Sequence, residues 1–450
     1  MSELQLNIKT VKFGGSSLAS AEQFRKVKAI IEADPTRRFV VPSAPGKRFS
    51  DDIKITDMLY TAQRQAAAGE DFSETLNIIR KRYLGIAEEL GLKLDLTDEL
   101  NQIGFRLKEG ATKDFAASRG EYLNGKLLAE YLGFTFVDAA DVICFNDNGT
   151  LMMSETMMAL RSRLENLPNA VIPGFYGSRQ NGEIITFSRG GSDISGSLVA
   201  RAVRAEIYEN WTDVSGVLVA DPRIVKDAAV INTITYEELR ELSYMGATVL
   251  HEDAIFPVRA AGIPINIRNT NRPSDPGTFI VADDSADSDA PTGYTITGIA
   301  GKKGFCAINI EKAMMNSEIG FCRKVLTVLE ELNISIEHMP TGIDTMTIIV
   351  SEEALKDREK TVISRIRKAV NPDNCTIEHG ISLLAVVGRG MRRTRGTAAR
   401  IFASLAHARI NVKMIDQGSS ELNIIIGLLD GDFEEAIRRI YSMFVDSTLS

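Results

Sequence analysis

Four cysteines in 450 residues are too few and too scattered for a disulfide framework. Cys144, Cys306, Cys322 and Cys375 form no C-x-x-C pair and join no Cys/His cluster with zinc spacing, so reduced, buried thiols are expected and no protein-borne metal motif. No uncharged apolar run reaches the roughly 18 residues of a membrane-spanning helix. The N-terminus lacks the basic-then-apolar pattern of an export signal, so a cytoplasmic protein without a membrane partner is the expectation. Cations are not in excess: the net charge is −8 and the pI near 5.4, against a general nucleic-acid binder. Tryptophan occurs once, as Trp211, which as a lone large ring suits a core better than a base-stacking platform. What is present is ordinary for a soluble globular chain, with 44% hydrophobic and 25% charged residues and length for two or three domains.

Up to about residue 280 one local theme recurs: a short apolar run, a Gly/Pro/Ser loop, then a helical pattern. The runs are residues 11–13 before GGSS, 39–41 before PSAPG, 170–172 before PGFYG, 184–187 before SRGGSD and 207–208 before ENWTDVSG. Short continuous runs suit strands buried on both faces, and their alternation with helices predicts a mainly parallel α/β sheet. Ligands of such sheets sit beyond the carboxyl ends of the strands, where all five loops lie, so the loops are expected to converge on one site. Residues 282–292, ADDSADSDAPT, are acidic and small and mark a boundary. Beyond it the chain repeats itself. Gly396 follows Gly320 by 76 positions, and 409–412 (RINV) and 422–426 (LNIII) follow 333–336 (NISI) and 346–350 (MTIIV) at the same shift. Phe321, Val325, Val328, Leu329 and Leu332 make one helical stripe, a closing strand is expected at 376–378, and the order fits two ferredoxin-like α+β units whose sheet edges a neighbour could complete.

The loops carry the chemistry. In VKFGGSS (11–17), Lys12 alternates with two apolar neighbours and precedes Gly14, Gly15 and the donors Ser16 and Ser17. The lysine stands before the glycines, unlike the P-loop order. Ser20 to Gln23 reads as a capping box opening a helix with Phe24, Val27 and Ile31 inward. Lysine and helix end together would stabilise phosphoryl oxygens, whereas a tight turn with a surface lysine would use the same residues. FSRGGSDISGS (187–197) adds a second glycine pair with Arg189 and Asp193, able to grip a carboxylate and to hold Lys12, or to pair with each other at a helix start. Thr212 and Asp213 in ENWTDVSGVLVADPR suit a nucleotide, and Arg223 ends a turn within reach of phosphates. In SRGEYLNGKLLAEYL (118–132) Leu123, Leu127 and Leu128 face inward; Glu121, near the start, is either a solvated first-turn glutamate or the receiver of a substrate ammonium.

The ordered set VKFGGSSLA, SRGEYL, FSRGGSDISGSLVA, NWTDVSGVLVADPR, LSYMGATVLH and PINIRNTNRPSDPGT resembles aspartate kinase, and the tandem repeat resembles that family's paired ACT domains. The resemblance implies an amino-acid-kinase fold over 1–290, a first ACT domain over 300–380 and a second over 381–450, completed by a strand near 294–300. It implies transfer of the ATP γ-phosphoryl group to the side-chain carboxylate of L-aspartate, with Mg2+ held through the ATP phosphates. By carry-over Lys12 neutralises the moving group with Gly14, Gly15 and Ser16 beside the nucleotide, Asp193 orients Lys12, and Arg189 grips an aspartate carboxylate. Glu121 takes the ammonium, Ser43 and Thr56 line the pocket, and Thr212, Asp213 and Arg223 hold the nucleotide. Leu218 and Thr248 stand where family members often place tyrosine and lysine, and 47–55 (KRFSDDIKI) is longer than usual. The acceptor carboxylate is ionised at neutral pH, so catalysis reduces to aligning two anions whose repulsion is of order 4 kcal/mol per unit-charge pair at about 4 Å.

ACT domains of the family bind amino-acid end products. An effector site is expected at Met315, Ser317, Ser335, Ile336 and Glu337, with lysine favoured over threonine because Glu337 can receive an ε-ammonium, and with a homodimer, extendable to a tetramer, formed through the ACT domains. A related amino-acid kinase with another carboxylate acceptor, and a catalytically silent amino-acid sensor, are the competing readings.

Overall fold

All five apolar runs overlap β-strands, and four of them share one sheet. The computed structural model describes residues 7–188, 190–247, 250, 252–282 and 295–446, without the side chains of 252–254. These fall into two units: Met1–Val217 with Asn232–Tyr236 and Val249–Asp287, and Leu218–Ile231 with Glu237–Thr248 and Ser288–Ser450. The partition does not follow the single boundary near 290 expected from the sequence, because two segments of the kinase-like region group with the C-terminal unit. The expected linker falls almost wholly on residues outside those described.

In the first unit the strands are β1 (Lys9–Phe13), β2 (Arg37–Pro42), β3 (Thr135–Phe136), β4 (Cys144–Phe145), β5 (Ala170–Val171), β6 (Tyr176–Arg179), β7 (Ile184–Thr186), β8 (Ile207–Thr212), β9 (Thr233–Thr235), β10 (Ile265–Asn269) and β11 (Thr278–Val281). The large sheet runs β3-β5-β2-β1-β8-β10-β11-β9, and only the β10–β11 pair is antiparallel. β1 is therefore central, with Val11 and Phe13 fully buried on one side and Lys12 on the other. The helices are α1 (Ala21–Glu32), α2 (Ile55–Ala67), α3 (Ser73–Glu89), α4 (Thr97–Lys108), α5 (Lys113–Leu132), α6 (Met153–Leu164) and α7 (Gly191–Ala202). Phe24, Val27 and Ile31 of α1 and Leu123, Leu127 and Leu128 of α5 share a core with Val11, Phe13 and Trp211.

β7 departs from the expectation. It joins the separate β4-β6-β7 sheet, antiparallel to β6. Asn181-Gly182 between them is a hairpin signal: Gly182 has φ +81° and the Asn181 side chain caps the Glu183 N–H. The capping box is half formed. Gln23 N–H donates to Ser20 Oγ at 3.4 Å, but the Gln23 amide turns to Asn271 instead.

In the second unit β12 (Gly298–Glu311), β13 (Thr345–Ser351), β14 (Asn374–Val387), β15 (Met414–Asp416) and β16 (Asn423–Leu429) form one sheet in the order β13-β12-β14-β16-β15. β12 and β14 are each long enough to serve both repeats: Phe305–Glu311 pairs with β13, while Gly298–Lys302 pairs with the Leu383–Val387 end of β14. The strand expected to close at 376–378 instead runs on into the second repeat. Helices Phe321–Glu331 and Thr397–His407 stand 76 residues apart, each preceded by a left-handed glycine, Gly320 and Gly396. Asn333 and Arg409, also 76 apart, both take positive φ after their helix. The second strand of the first repeat is reduced to bridges at His338 and Thr341, where Pro340 supplies no N–H.

Candidate active site

The site of the first unit is assembled from glycines that let backbones touch. Gly46 N–H donates to Gly15 O at 2.8 Å; a Cβ on Gly15 would stand 2.9 Å from Ala44 O, and one on Gly46 2.7 Å from the Gly15 carbonyl carbon. The loops after β1 and β2 are thus locked together, and alanine at either position is excluded without backbone movement. Gly120 lets α5 approach Ala44 in the same way. The loop after β5 joins through Gly174, whose N–H reaches Pro42 O and whose Cβ would meet Ser192 at 2.7 Å. Phe175 N–H donates to Ser195 Oγ on α7. Gly14 N–H donates to Trp211 O at the end of β8. The loops after β1, β2, β5 and β8 thus meet at the carboxyl end of the large sheet, with the start of α7 against them.

Among them Lys12 Nζ lies 2.6 Å from Asp193 Oδ1. Lys12 is 8% exposed, so its charge is presented from a largely dry position with one fixed counter-ion. Ser16 lies in a short 3-10 turn, Gly15–Leu18, placed between the glycine pair and α1. Thr212 Oγ1 and Asp213 Oδ1 are 3.2 Å apart at the end of β8.

Glu121 is not a first-turn residue. α5 begins at Lys113, where Thr112 Oγ1 caps Phe115 N–H, and this puts Glu121 mid-helix, 5% exposed. Burial pushes its carboxyl up to about 8, against hydrogen bonds from the Ala44 N–H and its own and the pull of the Arg119 guanidinium. Its Oε2 is buried and without a hydrogen-bond partner among the described residues; so is Oδ1 of Asn124, one turn further along α5. The Asn124 amide donates to Ser43 O at 2.6 Å. Ser43 is half-buried, with its N–H on Phe13 O, and Thr56 opens α2. Both orphaned acceptors thus lie on one turn of α5, whose Asn124 amide meets Ser43. The long segment 47–55 is tied down by Asp52, held between Arg48 and the buried Arg82, which also reaches Gly46 O.

Trp211 is 1% exposed, stacked on Phe13, and donates its indole N–H to Glu209, so it is core. Arg189 and Thr248 lie outside the described residues. Arg223 belongs to the second unit, exposed and paired with Asp221 at 2.6 Å. Met315, Ser317, Ser335, Ile336 and Glu337 are also in the second unit. Met315 is buried, Ser317 Oγ donates to Met314 O, Ser335 is exposed and Ile336 packs on the repeat's core. The Glu337 carboxylate accepts from Tyr244 Oη at 2.5 Å, which pushes that phenol up to about 12.

Sequence reasoning missed Asn124 and Asn210. The first was legible as the i+3 neighbour of Glu121, whereas the second emerges only from the register that sets it beside Lys12; Asn210 Nδ2 donates to Asp193 Oδ1 at 2.8 Å.

The sequence profile of the amino acid kinase family matches residues 7–269 and an ACT domain profile matches 384–444. Aspartokinase 3 of Bacillus subtilis is 39% identical, over 98% of this chain and all of its own. The chain belongs to the aspartokinases. The crystal structure of Clostridium acetobutylicum aspartate kinase superposes with a TM-score of 0.91 at 50% identity, over 97% of this chain and all of that one. Escherichia coli aspartokinase III in complex with lysine and aspartate, in its T-state, superposes with a TM-score of 0.72 at 25% identity, over 98% and 100%. This aspartokinase is an ATP-dependent kinase acting on the side-chain carboxylate of aspartate, followed by a regulatory ACT region. Among the described residues no helix is long and apolar enough to cross a membrane.

Proposed function

We propose that Lys12, held by Asp193, neutralises the phosphoryl group as it passes from ATP to the aspartate carboxylate, with Gly14, Gly15 and Ser16 beside the phosphates. The observation that carries this is the 2.6 Å contact between Lys12 and Asp193, joining β1 at the centre of the large sheet to the first turn of α7. Arg189 grips an aspartate carboxylate, and Glu121 with Asn124 receives the substrate ammonium near Ser43 and Thr56. Thr212 and Asp213 hold the nucleotide. Mg2+ enters on the nucleotide phosphates rather than on a cage of protein ligands. Bound there, the ion supplies charge neutralisation between the phosphates. Acyl phosphate trapped as hydroxamate, with MgATP and aspartate, tests the reading: Lys12→Met is expected to lower kcat about a thousandfold. A variant within tenfold of the parent refutes it.

At the ACT region the reading is feedback inhibition by lysine through Met315, Ser317, Ser335, Ile336 and Glu337, supported by the lysine complex of the E. coli relative and by the partly exposed Glu337 carboxylate. Glu337→Ala is expected to abolish lysine sensitivity while leaving uninhibited turnover intact. Met314, Ile319 and Ile343, each at least 70% exposed in the first repeat, support a homodimer through these domains.

A further inference from the structure

β8 alternates. Glu209 and Trp211 share one hydrogen-bonded cluster with Arg37, whereas Tyr208 and Asn210 both reach Asp193 at the start of α7. Asn210 is 3% exposed and is the register partner of Lys12 on the adjacent parallel strand. Two side chains on one face of neighbouring strands, about 4.8 Å apart at the backbone, therefore meet the same carboxylate oxygen. Lys12 Nζ reaches Asp193 Oδ1 at 2.6 Å and Asn210 Nδ2 reaches it at 2.8 Å. An ionised carboxylate only accepts, so the amide must turn its NH2 to it. Tyr208 Oη donates to the Asp193 carbonyl at 3.2 Å, and Gly196 gives the tyrosine room, since a Cβ there would stand 2.4 Å from that oxygen.

We propose that Asn210 is a positioning residue for phosphoryl transfer, fixing the rotation of the Asp193 carboxylate so that Lys12 is held at one place on the reaction path. The proposal rests on the reading of Lys12 and Asp193 given above. A lysine ammonium turns freely about its terminal bond and cannot by itself orient the carboxylate it meets. Tyr208 anchors the backbone of Asp193 but leaves its side-chain torsions free. Asn210 supplies the missing constraint. It directs Oδ1 to the lysine and leaves Oδ2 without a partner among the described residues, on a side chain that is 18% exposed. Misplacing a reacting group by about 1 Å can cost on the order of a hundredfold in rate, so a constraint on one torsion matters even where the ion pair survives.

The test uses the full-length enzyme with MgATP and aspartate. Asn210→Leu keeps the branching at Cγ and removes the donor; kcat is expected to fall about ten- to a hundredfold, with both KM values within about twofold and the thermal midpoint little changed. Asn210→Asp gives a second readout. At low pH a proton shared between residues 210 and 193 replaces the amide donor, so activity is retained. As pH rises and the pair ionises, two carboxylates face one lysine and activity falls relative to the parent. The charged and titratable groups on this cluster among the described residues are Lys12 of β1, Asp193 of α7 and Tyr208 of β8. Wild-type-like kcat in Asn210→Leu overturns the proposal. So does a loss in which kcat and thermal midpoint fall while both KM values rise, or an Asn210→Asp profile that merely parallels the parent's. An active Lys12→Met variant removes the underlying site assignment as well, whereas an inactive one beside an unaffected Asn210→Leu removes only the positioning role.

Discussion

Glu121 gives the sharpest quantitative test. Its carboxyl is buried, raised to about 8, and has one oxygen without a partner among the described residues. If that oxygen receives the aspartate ammonium, only the ionised enzyme binds well, and binding expels a proton from the enzymes that hold one. The apparent aspartate constant then scales as one plus ten to the power (8 − pH): roughly a hundredfold above its limit at pH 6, elevenfold at pH 7 and twofold at pH 8. KM for aspartate is therefore expected to fall about fiftyfold from pH 6 to 8, with KM for MgATP nearly flat. Glu121→Gln removes the charge and flattens the aspartate profile, with a penalty of about two to four orders of magnitude at pH 8, as for breaking a buried charge pair worth about 3–5 kcal/mol. Stability moves the opposite way. A folded value of about 8 above the usual 4.5 means that the native state is favoured most below 4.5 and progressively less up to 8. The ligand-free parent thus loses up to about 5 kcal/mol across that window and Glu121→Gln does not. The midpoint difference between variant and parent should widen from pH 5 to 8 and then level. An aspartate KM independent of pH between 6 and 8, or a variant that keeps the parent's profile, refutes the reasoning.

Tyr244→Phe removes the phenol that occupies Glu337. If lysine uses that carboxylate, half-inhibition should move to about three- to tenfold lower lysine, the competing hydrogen bond to a charged, partly exposed group being worth about 1 kcal/mol; an unchanged inhibition curve counts against Glu337 as the ammonium receiver. Glu209→Ala leaves Arg37 buried without its bidentate partner, whose bonds measure 2.8 and 3.2 Å. Urea unfolding should show a loss of about 3–5 kcal/mol, and Arg37→Met added to it should cost less than the two single changes together. Strict additivity would mean that the cluster is not coupled.

Most of the first unit's architecture was legible because its strands are short, apolar and followed by glycine loops, a pattern dictated by burial on both faces. β7 was misassigned for a definite reason: periodicity cannot tell a three-residue hairpin arm from a buried parallel strand, and Asn181-Gly182 held the missing information. The pairing of Lys12 with Asp193 could be anticipated from charge and loop position. Asn210 could not, since an asparagine in a strand acquires meaning only once register puts it opposite Lys12. Glu121 was misplaced because Ser118 looked like a helix start, while the true cap, Thr112, lies six residues earlier. A strand near 294–300 was expected to complete the second repeat, but that it runs on as β12, and 376–378 as β14, escaped notice, because nothing in a local window shows that a strand will pair on different neighbours along its two halves.

The two faces of β8 explain why a charged cluster is kept on the far side of the strand that positions Asp193. Glu209 is bound by Arg37 and Trp211, and the Arg37 and Arg268 guanidinium groups lie 5.2 and 4.6 Å from the Trp211 ring. A buried ion pair of this kind contributes little net stability over a well-packed apolar substitute. It does make register costly to change. A one-residue slip of β8 would turn Glu209 toward α7 and Asn210 into the cluster, leaving a buried acid and a buried guanidinium unpaired. The same slip would remove the amide from Asp193 and with it the constraint on Lys12. The charges behind the strand thus hold in place the polar groups in front of it, and the preorganisation proposed for phosphoryl transfer depends on that register.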